Sequence, residues 1–262
     1  MESKFITCGD GCQLHYRFDG PEDAPVLVLS NSLGTAMSMW EPQLASFTKD
    51  FRVLRYDQRG HGLSDAPRGA YSMDRLGRDV VELLDALALE RVHFCGLSLG
   101  GMTGQWLGIR CPERLQRLVL ANTSPFMGPP SAWDERITMV YQQGLASLAE
   151  ASAQRWFTPE FLAAQPRQVA TFQARLAGCS QVGYAGCCAA IRDMDMRPSL
   201  GLIPVPCLVI GGEKDPATPR DHSEALQQGI PGALLTTLPA AHLSNVEQPD
   251  AFADAVLGFI HP

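Results

Sequence analysis

The chain alternates short apolar runs with segments whose apolar positions recur at helical spacing. Val26-Leu27-Val28-Leu29 is apolar throughout, as expected of a strand covered on both faces of a parallel sheet. Residues 51–56, 92–97, 115–121, 206–211 and 234–238 read as further strands of this kind. Residues 4–7 and 13–18 instead alternate apolar and polar positions around Cys8-Gly9-Asp10-Gly11, which predicts an opening antiparallel hairpin. Ser72 is a candidate N-cap for a helix that puts Leu76, Val80, Leu83, Leu84 and Leu87 on one face. A helix after Ser98 is expected to run to about Arg110, ahead of Pro112. A closing helix places Phe252, Val256, Phe259 and Ile260 together. Strands and helices in this alternation predict an α/β fold with a mostly parallel central sheet flanked by helices.

Residues 122–196 break the pattern: they are rich in alanine, glutamine and helical spacing, hold Trp133 and Trp156, and contain no convincing core strand. They are expected to form a helical cap inserted into a core made of residues 1–121 and 197–262. At 262 residues and 45% hydrophobic, the chain is long enough for one substantial core with such an insertion.

The 21 basic and 28 acidic residues give a formal charge of −7, which argues against nucleic acid or a polybasic membrane contact. An anionic small substrate would need locally placed positive charge. Residues 1–6 lack a basic segment with a following apolar run, and no apolar stretch approaches membrane-spanning length; a cytoplasmic location is expected. The eight cysteines are expected to be reduced core residues, because a chain this large needs no disulfide scaffold. Cys8 and Cys12 have no second pair at finger spacing, and the six histidines are scattered, so a structural zinc site, or any other metal, is not expected.

Gly96-Leu97-Ser98-Leu99-Gly100 has the G-x-S-x-G spacing of a nucleophile elbow between a strand and a helix. Glycine is required on both sides because strand and helix approach too closely for side chains there. A serine hydroxyl needs a base within hydrogen-bond reach, itself oriented by a third group. Asp215, in the loop after the strand at 206–211, and His242, just past the last strand, follow Ser98 in the order serine, acid, histidine. All three fall at the carboxyl edge of the sheet, where open parallel sheets place their ligands. Glu213 is a rival acid. His61, between Gly60 and Gly62, is a rival base, although its turn suggests a structural role in which Arg59 and Asp65 brace neighbouring loops. His15, His93, His222 and His261 read as structural or solvated. Thr218 and Pro219 are expected as N-cap and first position of the following helix. Two backbone amides should face a tetrahedral oxyanion: Leu99, at the start of the elbow helix, and Leu33, in the loop after Leu29.

These residues, with the interposed helical stretch, resemble the α/β-hydrolase superfamily over essentially the whole chain. Ser30-Asn31-Ser32-Leu33-Gly34-Thr35, residues 55–64, Phe94-Cys95-Gly96-Leu97-Ser98-Leu99-Gly100-Gly101, Cys187-Cys188-Ala189-Ala190-Ile191-Arg192-Asp193 and residues 240–248 together resemble the 3-oxoadipate enol-lactonases. Many superfamily members carry His-Gly where this chain has Asn31-Ser32, and the enol-lactonase branch looks like this chain there. The resemblance implies cofactor-free hydrolysis of a small anionic lactone to 3-oxoadipate through an acyl-enzyme, in bacterial breakdown of aromatic compounds. It also implies a cationic contact for the substrate carboxylate near the cap, for which Arg192 is the candidate, an ion pair of Arg192 with Asp193 or Asp195 being the alternative, with Trp133 as an apolar wall. Another esterase, a carbon-carbon bond hydrolase or a perhydrolase of this fold is the main alternative. A ligand-binding protein that has lost turnover is more remote, because the triad is intact.

Overall fold

The computed structural model describes residues 4–261. Its eight strands are β1 (Lys4–Thr7), β2 (Gln13–Asp19), β3 (Val26–Ser30), β4 (Arg52–Tyr56), β5 (Val92–Leu97), β6 (Leu115–Ala121), β7 (Cys207–Gly212) and β8 (Leu234–Leu238). They form one sheet in the order β1-β2-β4-β3-β5-β6-β7-β8. The β1–β2 hairpin joins β4 antiparallel, and every pair from β4 onward is parallel. Every residue of β5 and β7 is buried, as an apolar run covered on both faces requires.

The helices are α1 (Glu41–Phe47), α2 (Met73–Ala86), α3 (Leu99–Arg110), α4 (Pro130–Gln143), α5 (Ala149–Trp156), α6 (Pro159–Ala164), α7 (Pro166–Ala177), α8 (Gln181–Asp193), α9 (Arg220–Gly229), α10 (Ser244–Glu247) and α11 (Pro249–Ile260). The Ser72 hydroxyl caps α2 by accepting from the Arg75 amide at 3.1 Å. In α11, Phe252, Val256 and Ile260 are buried, whereas Phe259 is half-buried beneath the Arg117 guanidinium. Helix α1 has no counterpart in the sequence reading: at seven residues it is too short for a periodic signal. The start of α9 also differs from expectation, since Pro219 is the N-cap and Arg220 the first helical residue. Thr218 is free of that role because its hydroxyl is bound elsewhere.

Strands β3 and β5 are neighbours, although β4 lies between them in the chain, so connections leave the sheet in opposite directions there. Such a switch point opens a crevice at the carboxyl ends of the strands, and the register pairs Ser30 with Gly96 at its lip. Between β6 and β7 the chain runs through α4–α8 without adding a strand to the sheet, tied at its base by an isolated bridge between Phe126 and Asp195. No helix among the described residues is long and apolar enough to cross a membrane.

A buried ion pair holds the loop after β4 to α2. Arg59 Nε and Nη2 donate to the two carboxylate oxygens of Asp79, each at 2.5 Å, and both side chains are 3% exposed. Nη1 reaches Asp10 at 2.9 Å. Removing one partner of a buried pair leaves an uncompensated charge, whereas replacing both by apolar groups restores most of the loss. Arg59→Met should therefore destabilise the protein by about 3 kcal/mol, and Arg59→Met with Asp79→Leu should recover most of it in urea unfolding. A single variant as stable as the parent would contradict this account of the pair.

Candidate active site

Strand β5 ends at Leu97 and α3 begins at Leu99, which leaves Ser98 alone on the turn with φ 58° and ψ −115°. An L residue seldom adopts this conformation, which costs about 1–3 kcal/mol. Neighbouring backbone holds it there: the Ser98 amide donates to Ala121 O at 2.9 Å, its carbonyl accepts from Thr123 Oγ1 at 2.7 Å, and the Gly100 amide donates to Asn31 O at 3.0 Å. A Cβ on Gly96 would lie 2.1 Å from Gly100 O, and one on Gly100 would lie 2.2 Å from Ser30 O. Glycine is therefore obligatory on both sides of the serine.

Asp215 and His242 meet at the same edge. His242 Nδ1 lies 2.9 Å from Asp215 Oδ2, which leaves Nε2 as the outward edge of the ring. Asp215 also accepts from the amides of Ala217 and Thr218, the Thr218 hydroxyl and Asn122 Nδ2, at 2.7–3.0 Å. Burial alone would raise its carboxyl, but the His242 charge and the hydrogen bonds from His242, Asn122 and Thr218 outweigh it and hold the group at about 2. Glu213, the rival acid, is exposed and meets Thr237 instead. Asn122, left aside in the sequence reading, sits at φ 43° just after β6 and ties the acid loop to the histidine loop: its amide also donates to Ala241 O, and its carbonyl accepts from Ser244. An asparagine after a strand is ordinary turn chemistry, so only its positive φ tendency was there to be read.

The loop after β3 brings Leu33 to the same place. Among the described residues, neither the Leu33 nor the Leu99 amide donates to a protein acceptor, and Leu99 opens α3, where the helix dipole favours negative charge. Asn31 fastens the loop from below, donating to Tyr56 O and accepting from Trp40 Nε1.

Ser98, His242 and Leu33 line one cavity of about 280 Å3, closed on the other side by Met127, Trp133, Arg136, Arg155, Trp156 and Tyr184 from the helical insertion. Trp133 lines this cavity, with its indole N–H donated to Met127 O and Arg136 stacked over its ring. Arg192 is not. It lies outside the cavity lining, bound to Asp193 and to Asp134 of α4. The cationic groups in the cavity are Arg136 and Arg155, both half-buried and, among the described residues, without a carboxylate partner. Burial and the neighbouring Arg136 charge pull the Arg155 guanidinium below its ordinary value.

The remaining titratable clusters are structural. His61 accepts from the Gly34 amide, and His15 pairs with Asp57. Cys8, Asp79 and Glu82 lie close enough together to suggest metal ligands, but Arg59 and Arg75 already pair with the carboxylates, and burial, followed by the Asp79 and Glu82 charges, pushes the Cys8 thiol up. The depressed Asp215 carboxyl has a pH signature. Its stabilising contribution is complete above its unfolded value of about 4 and is lost as pH falls toward 2. The stability difference between the parent protein and Asp215→Asn in urea unfolding should therefore be flat above about pH 5 and shrink below about pH 4; a difference that stays flat throughout would contradict the low value.

The alpha/beta hydrolase fold profile matches residues 25–249. A curated relative, "3-oxoadipate enol-lactonase 2" of Acinetobacter baylyi, is 46% identical over 243 residues, covering 93% of this chain and 91% of its own. The crystal structure of an enol-lactonase from Burkholderia xenovorans LB400 superposes with a TM-score of 0.96 at 43% identity, covering 98% of this chain and 99% of that one. A hydrolase from Pseudomonas aeruginosa superposes at 0.97 with 49% identity, covering 99% and 98%. With its eight-stranded sheet and a profile match across most of its length, the chain belongs to the alpha/beta hydrolase fold family.

Proposed function

We propose that the protein hydrolyses 3-oxoadipate enol-lactone to 3-oxoadipate, a late step in the breakdown of aromatic compounds by the β-ketoadipate route, in the cytoplasm. The observation that carries the chemistry is the Asp215–His242 pair, whose histidine lines the same cavity as Ser98. The substrate assignment rests on the enol-lactonase relatives and on the two arginines in that cavity, which have no carboxylate partner among the described residues.

Ser98 Oγ attacks the lactone carbonyl while His242 Nε2 takes its proton, and Asp215 holds the imidazole in the required tautomer and stabilises its charged form. The Leu33 and Leu99 amides receive the oxyanion. Collapse of the tetrahedral adduct breaks the ring C–O bond. His242 returns the proton to the departing enol oxygen, and the enol tautomerises to the ketone, which makes ring opening hard to reverse. Water, deprotonated by His242, then attacks the acyl-enzyme, releasing the second carboxylate and restoring Ser98. No step needs a cofactor. The substrate's free carboxylate is held by Arg136 and Arg155 rather than Arg192, whose charge Asp134 and Asp193 already satisfy.

Loss of the ultraviolet absorbance of freshly generated enol-lactone, set beside turnover of a neutral nitrophenyl ester, tests this reading. Fast lactone turnover is expected, with Ser98→Ala reducing both reactions about a thousandfold or more; rapid ester cleavage with slow lactone cleavage would point to another esterase of this fold. Arg136→Ala and Arg155→Ala should each raise KM for the lactone about tenfold or more, as expected for a lost charge-assisted hydrogen bond. KM for the neutral ester should barely move, and Arg192→Ala should leave both substrates unaffected. Equal effects on lactone and ester would remove the arginines from carboxylate recognition.

A further inference from the structure

The oxyanion loop is anchored by a side chain that takes no part in the proposed triad. His61 is 2% exposed, and its Nε2 accepts the Gly34 amide at 2.9 Å, one residue past Leu33. Its other nitrogen, Nδ1, lies 3.3 Å from Arg59 O, an acceptor only. The two contacts together specify one state of the ring: neutral, with the proton on Nδ1 and the lone pair on Nε2 turned toward the loop. Burial, which disfavours the charged ring, acts in the same direction.

The loop is also held from above. Gly34 sits at φ 77°, and a Cβ there would lie 2.7 Å from Leu176 of α7 and 3.2 Å from Tyr184 of α8. The turn carrying His61 is clamped by the same insertion: the α-carbons of Gly60 and Gly183 approach so closely that a Cβ on Gly60 would stand 2.4 Å from Gly183 Cα, and Cys179 Sγ reaches Gly60 O at 3.5 Å. The Leu33–Gly34 peptide is therefore caught between an imidazole below and the helical insertion above. The Leu33 N–H belongs to the adjoining Ser32–Leu33 peptide, one α-carbon away, so holding the Leu33–Gly34 plane restrains that N–H through the φ and ψ of Leu33.

We propose that His61 is a positioning residue for the oxyanion hole: through the Gly34 amide it fixes the direction of the Leu33 N–H, and so supports transition-state rather than ground-state binding. This rests on the serine-hydrolase reading above but not on the lactone. An amide displaced by a fraction of an ångström still permits substrate to bind but no longer meets the developing charge.

The test uses nitrophenyl acetate, which does not depend on the lactone assignment, and compares His61→Leu, which removes the acceptor, with His61→Gln, whose side-chain oxygen reaches the Nε2 position. His61→Leu should lower kcat about tenfold to a hundredfold, leave KM within about twofold, and weaken a trifluoromethyl ketone, which forms a tetrahedral oxyanion adduct with the serine, by the same factor as kcat. His61→Gln should recover most of both. In the unmodified protein, nitrogen-15 spectra at neutral pH should show His61 as the neutral Nδ1–H tautomer. The proposal is overturned by unchanged kcat in His61→Leu, by a loss confined to KM, by an inhibitor affinity that does not follow kcat, by equal losses in the two variants, or by an Nε2–H tautomer. That last measurement decides the matter even if His61→Leu does not fold. Ser98→Ala serves as the separate control: activity surviving in it would refute the triad and leave the His61–Gly34 contact to be judged by the spectra.

Discussion

The site depends on one backbone distortion, the positive φ of Ser98. The cost of that conformation falls on the surroundings: β5 and α3 must meet with almost no space between them. Gly96, Gly100 and the Ser30 carbonyl form a single stack of close contacts, so the end of β5, the start of α3 and the end of β3 cannot move independently. What resists relaxation is the burial of α3, whose residues from Leu99 to Gly108 are all enclosed. Area removed from water by such a helix outweighs about 1–3 kcal/mol of local strain. The distorted turn is also tied to the loop after β3, since the Gly100 amide donates to Asn31 O.

The same constraint explains why the acid is so heavily solvated by protein groups. Burying a carboxylate next to an imidazole is favourable only if its remaining lone pairs are filled. Asp215 accepts from two amides, a hydroxyl, an asparagine and the histidine, so its charge is compensated without water. Thr218 is drawn out of a helix-capping position for this purpose: a charged acceptor inside the loop is a stronger partner for its hydroxyl than the first turn of α9. Asn122 binds the acid loop to the histidine loop, which makes the end of β6 part of the site although it contributes no reacting atom.

The features legible in the sequence are those that a period or a chain order encodes. Buried strands declare themselves as apolar runs, α2 by its cap and stripe, and Ser98, Asp215 and His242 by falling just past the carboxyl ends of β5, β7 and β8 of a parallel sheet. The features that escaped are pairings over long sequence separations. Arg192 looked suitable as an anion contact because it lies near the return from the insertion, yet its neighbour Asp193 and the distant Asp134 neutralise it. Arg136 and Arg155 carry no mark in the sequence that distinguishes them from other arginines. What sets them apart is the absence of a carboxylate within reach among the described residues, a property of the assembled cavity alone. Asn122 belongs to the same class.

Chemistry and recognition therefore come from different parts of the chain held in register. The sheet edge supplies charges that are fully compensated within the protein, and such a centre has little ability to choose among esters. The helical insertion supplies the reverse: two cations left uncompensated, beside Trp133, in a cavity of about 280 Å3. A half-buried guanidinium without a carboxylate within reach carries a desolvation cost that an anion would offset. The close approach of Gly60 to Gly183 keeps these two halves from drifting apart. A substituent there would lift the insertion away from the His61 turn and the loop after β3 together, so the cavity's two sides are held in register by one contact.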